Sequence, residues 1–156
     1  MAYDSTQDTL AHIRAVEILL KKFCEELKIR AFYHDDSKLQ EPEKSMYDEF
    51  KPKLAVLQVG TPEYQEALAA MGDGLKHHYQ SNSHHPEHFS DGINGMSLFD
   101  LVEMFCDWQA VSQARGQAIP LSVFRQRFDM SEQLARIIEN TEQVYLANPT
   151  DTHPTL

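Results

Sequence analysis

The amino-acid sequence predicts an all-α protein, a single-domain bundle of about five to six helices. Apolar residues recur at helical spacing along most of the 156-residue chain, whereas the alternation typical of strands is not sustained anywhere. β-branched residues are sparse. A chain of this length suits one domain, which we expect to span 1–147. The remaining segment, 148–156, holds two prolines and is expected to be a flexible tail.

Start and stop signals place the predicted helices. Thr61 and Ser97 are expected N-caps, and Asp129 with Glu132 three residues later forms an expected capping box. Pro42 is expected to end the second helix, because proline cannot continue a helical ladder. The predicted helices cover approximately Thr6–Lys28, Ala31–Lys38, Glu43–Leu57, Pro62–Tyr79, Leu98–Arg115 and Met130–Tyr145.

One apolar stripe of the first helix is expected to face the core. At about 100° per residue, its apolar side chains fall within one arc, and His12 projects into the same arc. The apolar members are Val16, Leu19, Leu20, Phe23 and Leu27. An imidazole is therefore predicted to lie on a core-facing surface; a hydrogen-bonded core histidine is the simpler interpretation of His12 taken alone.

Composition and net charge limit which binding partners and which cellular location are expected. Twenty-four acidic against 14 basic residues give a formal net charge of −10, which repels phosphate backbones, so neither a nucleic acid polymer nor a membrane is an expected partner. No apolar run approaches the ~18–20 residues that span a bilayer, and a cytoplasmic location is expected. Cys24 and Cys106 lie in apolar helical patterns and are predicted to be buried. The sequence has no CxxC pair, which excludes a thiolate zinc site in practice.

Histidine is the unusual feature of the sequence. Seven of the eight histidines lie between His12 and His88, and five fall in the short segment 77–88: His77, His78, His84, His85 and His88. The segment 80–96 reads as a long loop, and such loops are usually functional. Adjacent helical residues point about 100° apart, so one of His77 and His78 is expected to face a given centre, and His78 is nearer the loop. A chance surface cluster, or adventitious metal binding by it, are the alternatives.

Two further groups of residues carry potential chemistry. Asp100, Glu103 and Asp107 share one stripe of the fifth helix, and apolar residues border that stripe, so part of it is expected to be enclosed rather than solvated. His34-Asp35 offers an imidazole and a carboxylate, which suit Zn²⁺, Mn²⁺, Fe or Ni²⁺.

Lys38 follows Asp35 by one helical turn. While protonated it cannot bind a metal, but it can meet the phosphate oxygens of a substrate. A surface cation is the alternative interpretation of Lys38.

The order of these residues resembles the HD-domain superfamily of metalloenzymes. His12, then His34-Asp35, then Asp107, with His78 between, matches the His … His-Asp … Asp order of that superfamily, and Lys38 matches its His-Asp-x-x-Lys continuation. The matching stretches are 10–13, 33–38 and 98–107. The run 77–88, followed by 91–96, also looks like a family of short, largely uncharacterised HD-like proteins of phages and bacteria. For a phage-encoded chain the expected location is the host cytoplasm.

The resemblance implies an HD-like helical domain over 1–147, with a His-rich loop at 77–96, that acts as a metal-dependent phosphohydrolase releasing phosphate from a small nucleotide. It implies one or two divalent ions per chain, Mn, Zn, Fe, Co or Ni, with Mg also compatible. The implied metal ligands are His12, His34, Asp35, His78 and Asp107. The expected catalytic residues are Lys38, Asp35, His84 and His85, and the expected substrate-binding residues are Lys38, His88 and Tyr79. An HD-fold di-iron oxygenase and a non-catalytic nucleotide- or partner-binding protein are the alternatives, and a homodimer through helical faces is a further expectation.

Overall fold

The structure, a computed structural model, describes residues 3–147 and the side chains of residues 3–144. Secondary structure in this part of the chain is entirely helical, which confirms the predicted all-α class. The seven α-helices are α1 (Thr6–Tyr33), α2 (Glu43–Ala55), α3 (Pro62–Ala70), α4 (Gly72–Ser81), α5 (Leu98–Arg115), α6 (Leu121–Arg127) and α7 (Glu132–Ala147). Three short 3₁₀ helices cover Asp36–Leu39, Pro86–His88 and Gly92–Gly95. The expected flexible tail, 148–156, lies outside the described residues.

The chain divides into two compact units, with the boundary between Asp36 and Ser37. The N-terminal unit, residues 1–36, contains α1, and the C-terminal unit, residues 37–156, contains the other helices. The expectation that 1–147 forms one domain stays a prediction. No helix in the described part of the chain is long and apolar enough to cross a membrane.

Helix α1 buries none of its residues. The prediction that its apolar stripe and His12 face a core is therefore wrong. The physical reason is that the N-terminal unit consists of one helix, and a helix needs a second layer to cover its apolar stripe. Cys24 is exposed for the same reason. α1 is also longer than predicted, because Ala31–Tyr33 continue it, and the expected second helix is reduced to the 3₁₀ turn Asp36–Leu39.

The predicted single helix over Pro62–Tyr79 is two helices, α3 and α4. Thr61 caps α3 as expected, its hydroxyl accepting the backbone N–H of Tyr64. The chain then breaks at Gly72, whose φ of +58° lies in the left-handed region that side chains disfavour. Gly74 follows in α4, where an added Cβ would lie 3.0 Å from Met46. The missing side chain lets α4 approach α2 closely.

Helix α5 forms as predicted and supplies the centre of the core. The Ser97 side chain and the Asp100 backbone and side chain make a capping box, and Gly116 ends the helix with φ of +65°. Trp108 stacks on Phe124 with ring centroids 3.8 Å apart, and both rings belong to the buried core. The buried core cluster is Ile93, Met104, Trp108, Phe124, Met130 and Ala135.

Two sequence predictions in this half of the chain are wrong. Cys106 is exposed, because it lies about 200° around α5 from both Met104 and Trp108, which are buried. The last helix begins at Glu132 rather than Met130, and the hydroxyl of Ser131 accepts the backbone N–H of Leu134. The cap is therefore Ser131, not Asp129.

Candidate metal centre

A buried carboxylate, Glu43, organises the polar centre of the C-terminal unit. Glu43 is the first residue of α2 and is 0% exposed. It accepts hydrogen bonds from Nδ1 of His77 at 2.7 Å, from Nδ1 of His78 at 2.9 Å and from the Ser37 hydroxyl at 2.9 Å. A buried carboxylate is costly unless donors surround it, and three donors satisfy this requirement.

Asn82, the residue after α4, ties the end of that helix to the same network. Its amide donates to the Ser37 hydroxyl and to the carbonyl of His78, both at 2.8 Å. The close approach of α4 to α2 at Gly74 and these two hydrogen bonds fix the last turn of α4. His78 is therefore held in place from both its backbone and its ring.

Three imidazoles converge beside this network. His78 and His84 are buried, with 1% and 2% exposure, and His85 is half-buried. Nε2 of His78 lies 2.8 Å from Nε2 of His85, and the His84 and His85 ring centroids are 4.2 Å apart. Each ring offers one nitrogen, and these three nitrogens lie within 4.8 Å of one another. Imidazole nitrogens suit Zn, Cu, Fe and Ni, so the donor set fits a divalent transition metal.

Carboxylates orient two of the three imidazoles. His78 donates from Nδ1 to Glu43, and Nδ1 of His84 lies 3.1 Å from Oε1 of Glu103 on α5. A carboxylate on Nδ1 fixes the ring tautomer and leaves Nε2 with the lone pair, which is the arrangement typical of metal-binding histidines. The cluster thus combines three converging imidazoles with two outer carboxylates, an arrangement that could hold a metal ion.

The acidic stripe of α5 is enclosed as the sequence predicts, but its three members differ in role. Asp100 is buried and serves structure, since it accepts from the Ser83 hydroxyl at 2.6 Å and closes the capping box. Glu103 faces His84. Asp107 lines a cavity, described next.

A cavity of about 190 Å³ adjoins two of the three imidazoles, those of His78 and His85. His78, His85 and Asp107 line it, together with the predicted substrate-binding residues Lys38 and Tyr79. The Lys38 ammonium lies 4.8 Å from the centroid of the Tyr47 ring, another lining residue. An ammonium and imidazoles around one cavity favour an anionic ligand.

Arg127 adds a second cation to the cavity wall. Its guanidinium donates to the Tyr79 hydroxyl at 3.0 Å and to Glu87 at 2.6 Å. Burial raises the pKa of Tyr79, and so does nearby Glu87. Burial alone lowers the pKa of Arg127, but Tyr79 and Glu87 outweigh it and hold that pKa above its usual value, so Arg127 stays charged.

The remaining predicted ligands lie in the N-terminal unit. His12 is exposed on α1. His34 and Asp35 directly follow α1, with Nε2 of His34 3.3 Å from Oδ2 of Asp35. Asp35 has a φ of +60°, a left-handed conformation that Asp tolerates better than most residues. That His12, His34 and Asp35 share one ion with His78 and Asp107 stays a prediction.

The structure adds three residues to the predicted site, and it places one predicted residue, His88, in an environment that differs from the expected one. Glu43, Glu103 and Arg127 were not predicted as site residues. Glu103 had a detectable signal, since its stripe was bordered by apolar residues, whereas Glu43 and Arg127 had none. His88 is exposed and donates from Nδ1 to the Tyr79 carbonyl at 2.9 Å, a contact that anchors the loop rather than one aimed at a ligand.

A family model matches residues 1–144 of the chain, which include the three imidazoles and every residue named in the cavity wall. The chain belongs to DUF5662, a family of unknown function. No curated protein and no solved structure matches it.

Proposed function

We propose that the chain is a metal-dependent phosphohydrolase that releases phosphate from a small phosphate ester, such as a nucleotide. The observation that carries the proposal is the convergence of three imidazole nitrogens, within 4.8 Å of one another, beside a cavity lined by Lys38 and Arg127. Ligands for a metal and cations for a phosphate therefore meet in one place.

His78, His84 and His85 would hold the ion in the C-terminal unit. A bound divalent ion would supply a water that ionises near neutral pH and would polarise a phosphoryl oxygen. Asp107 lines the same cavity and is proposed as a further ligand. The donor set favours Zn, Mn, Fe, Co or Ni.

From the sequence, one of His84, His85 and His88 is expected as a ligand of a second ion and the others as donors to phosphate or as the general acid, whereas this proposal makes both His84 and His85 ligands. The burial of His84 against Glu103 and the 2.8 Å distance between His85 and His78 support this assignment. Proton donation to the leaving group by either histidine stays a prediction. Lys38 is proposed to neutralise charge on the phosphate oxygens, which is the role that a lysine on a cavity wall can fill.

The electrostatics of the chain favour a small substrate over a polymer. The formal net charge of −10 repels polyanions at long range. Lys38 and Arg127 nevertheless both line one cavity, where Arg127 is paired with Glu87. A single phosphate group can use that local charge without contacting the acidic outer surface.

We also propose that the chain forms a homodimer through the apolar stripe of α1. Ile13, Val16, Leu20, Phe23 and Leu27 follow the 3-4-3-4 spacing of a coiled-coil seam. Ile13, Val16 and Leu20 are 39–61% exposed. A second copy of α1 is the proposed partner, because it carries the same apolar residues at the same spacing and over the same length.

The experiment that tests the enzymatic proposal combines metal analysis with a substrate panel. Untagged protein is analysed for bound metal and then assayed for phosphate release from nucleoside and deoxynucleoside mono-, di- and triphosphates, with and without a chelator. We expect at least one transition-metal ion per chain and phosphate release that the chelator abolishes. Oxygen consumption by iron-loaded protein without phosphate release would contradict the proposal and favour the oxygenase alternative.

Lys38→Met tests the phosphate-binding role within the same assay. Removing a charged donor to the transition state typically lowers kcat by about 10²–10³-fold, and we expect a loss of this order for Lys38→Met. Lys76→Met is the matched control, because Lys76 is exposed and pairs with Asp73 on the surface of α4. Equal activity of the two variants would contradict the role of Lys38.

A further inference from the structure

We propose that the cavity beside the three imidazoles is a binding site for one uncharged, apolar ring of the substrate. The preferred substrate is then a phosphate monoester whose organic part presents a single six-membered ring. The assignment of the phosphate end rests on the proposed function, whereas the assignment of the ring end rests on the cavity alone.

One wall of the cavity is polar and aromatic. The Lys38 ammonium lies over the Tyr47 ring, whose centroid is 5.6 Å from that of His78. His85 follows, with its ring centroid 4.7 Å from His78 and 5.1 Å from Tyr79. The Tyr79 hydroxyl then accepts a hydrogen bond from Arg127. This continuous row places the two cations at its ends and the imidazoles between them, so the anionic group of a ligand belongs on this wall.

The rest of the lining is mostly apolar, and its polar members are Tyr64 and Asp107. The apolar members are the aliphatic residues Leu54, Val59, Leu68, Met71, Leu75, Val111 and Ile119 and the aromatic residues Trp108, Phe124 and Phe128. The planes of the Trp108 and Phe124 rings are 3° apart, and the Phe128 ring is within 2° of the Trp108 plane. Aliphatic walls with few hydrogen-bonding groups favour an apolar ring and disfavour a charged or strongly hydrated group.

The volume limits the ring to one. A cavity of about 150 Å³ suffices for benzene, and sites for drug-sized ligands occupy about 300–1,000 Å³. The present cavity has about 190 Å³, which is enough for one substituted six-membered ring. The expected ligand therefore has a phosphate that contacts the polar wall and a single ring that packs against the apolar walls.

The test measures binding of two phosphonates, which resemble phosphate esters and are not hydrolysed. Isothermal titration on the metal-loaded full chain compares phenylphosphonate with methylphosphonate, which carry the same anionic group. We expect phenylphosphonate to bind at least tenfold more tightly. The near-isosteric change Leu68→Gln places an amide in the apolar wall and should reduce that ratio to below threefold.

Two controls keep this test independent of folding. Leu134→Gln makes the same change at another half-buried leucine, on α7, and should retain the tenfold ratio. Val111→Asn is a second wall variant at a position that reaches solvent, so it is expected to fold even where Leu68→Gln does not.

The outcomes separate this inference from the proposed enzymatic function. Equal affinity for the two phosphonates, or an unchanged ratio in both wall variants, would overturn the ring site while leaving phosphate release untouched. Selective binding of phenylphosphonate that the wall variants abolish supports the ring site, even in a chain that releases no phosphate from the nucleotide panel.

Discussion

Glu43 determines which nitrogen of His78 is available to a ligand. In the tautomer that donates from Nδ1 to the Glu43 carboxylate, the lone pair of His78 lies on Nε2. Nε2 is the nitrogen that lies 2.8 Å from His85, among the converging imidazoles. Glu43 is therefore a positioning residue for the centre, acting through His78 and touching no ligand itself.

Replacing Glu43 with Gln should weaken metal binding by about 10–100-fold, as is typical for the loss of an outer carboxylate. An amide can accept through one atom only, and its NH₂ group would face an imidazole N–H. The measurement is a chelator-competition titration with Zn²⁺. Glu49→Gln is the control, since Glu49 lies on the same helix and pairs with Lys53 at the surface. Equal Zn²⁺ affinity in both variants would contradict the positioning role.

Single residues of the centre differ in how far the sequence could predict them. His78 and His84 were detectable because histidines are rare elsewhere in the chain and cluster here. Glu43 was not, because an acidic residue at the first position of a helix is ordinary and favourable with the helix dipole. What distinguishes Glu43 is its burial by α4, which is a property of packing and not of local sequence.

Among the helices, the approximate bounds predicted for α5 are confirmed, whereas the prediction of one continuous fourth helix is wrong. α5 has a capping box at its N-terminus and a glycine in the left-handed conformation at its C-terminus, so residues at the two ends determine both boundaries. The sequence pattern predicts one continuous helix through Gly72. The left-handed backbone at Gly72 instead starts a new helix, and this rotation directs His78 toward α2.

The stripe of α1 makes a prediction about assembly. Burying a half-exposed Leu or Ile contributes about 1 kcal/mol, so a paired seam of about ten such side chains is comparable with an association cost of about 4–15 kcal/mol. Leu20→Glu places a charge in the seam and should convert a dimer to a monomer in sedimentation analysis. Lys22→Glu introduces the same charge about 200° around the helix and should leave the dimer intact. A wild-type chain that sediments as a monomer at high concentration would contradict the proposed dimer.

For the molecule as a whole, binding of an ion at this centre is expected to raise the free energy of unfolding. His78 on α4 converges with His84 and His85 on the following loop, and Glu43 of α2 and Glu103 of α5 hold two of these rings, so an ion bound there would connect four segments of the C-terminal unit. The unfolded chain does not hold Glu43 and Glu103 beside the histidines, because both carboxylates lie far from residues 78–85 in the sequence. An ion that binds only the folded state stabilises it by mass action.

Adding Zn²⁺ at about 100 times its Kd should therefore stabilise the chain by about 2.7 kcal/mol and raise the Tm by about 5–10 °C. The measurement is thermal unfolding followed by circular dichroism, with chelator-treated protein as the reference. His84→Ala should abolish the increase, because it removes a converging ring nitrogen. His88→Ala should retain the increase, because His88 is exposed and its ring nitrogen Nδ1 is bonded to the Tyr79 carbonyl. An equal loss of the Zn²⁺ effect in both variants would show that the ion binds the loop without specificity for the buried centre, and the metal-dependent mechanism would lose its structural basis.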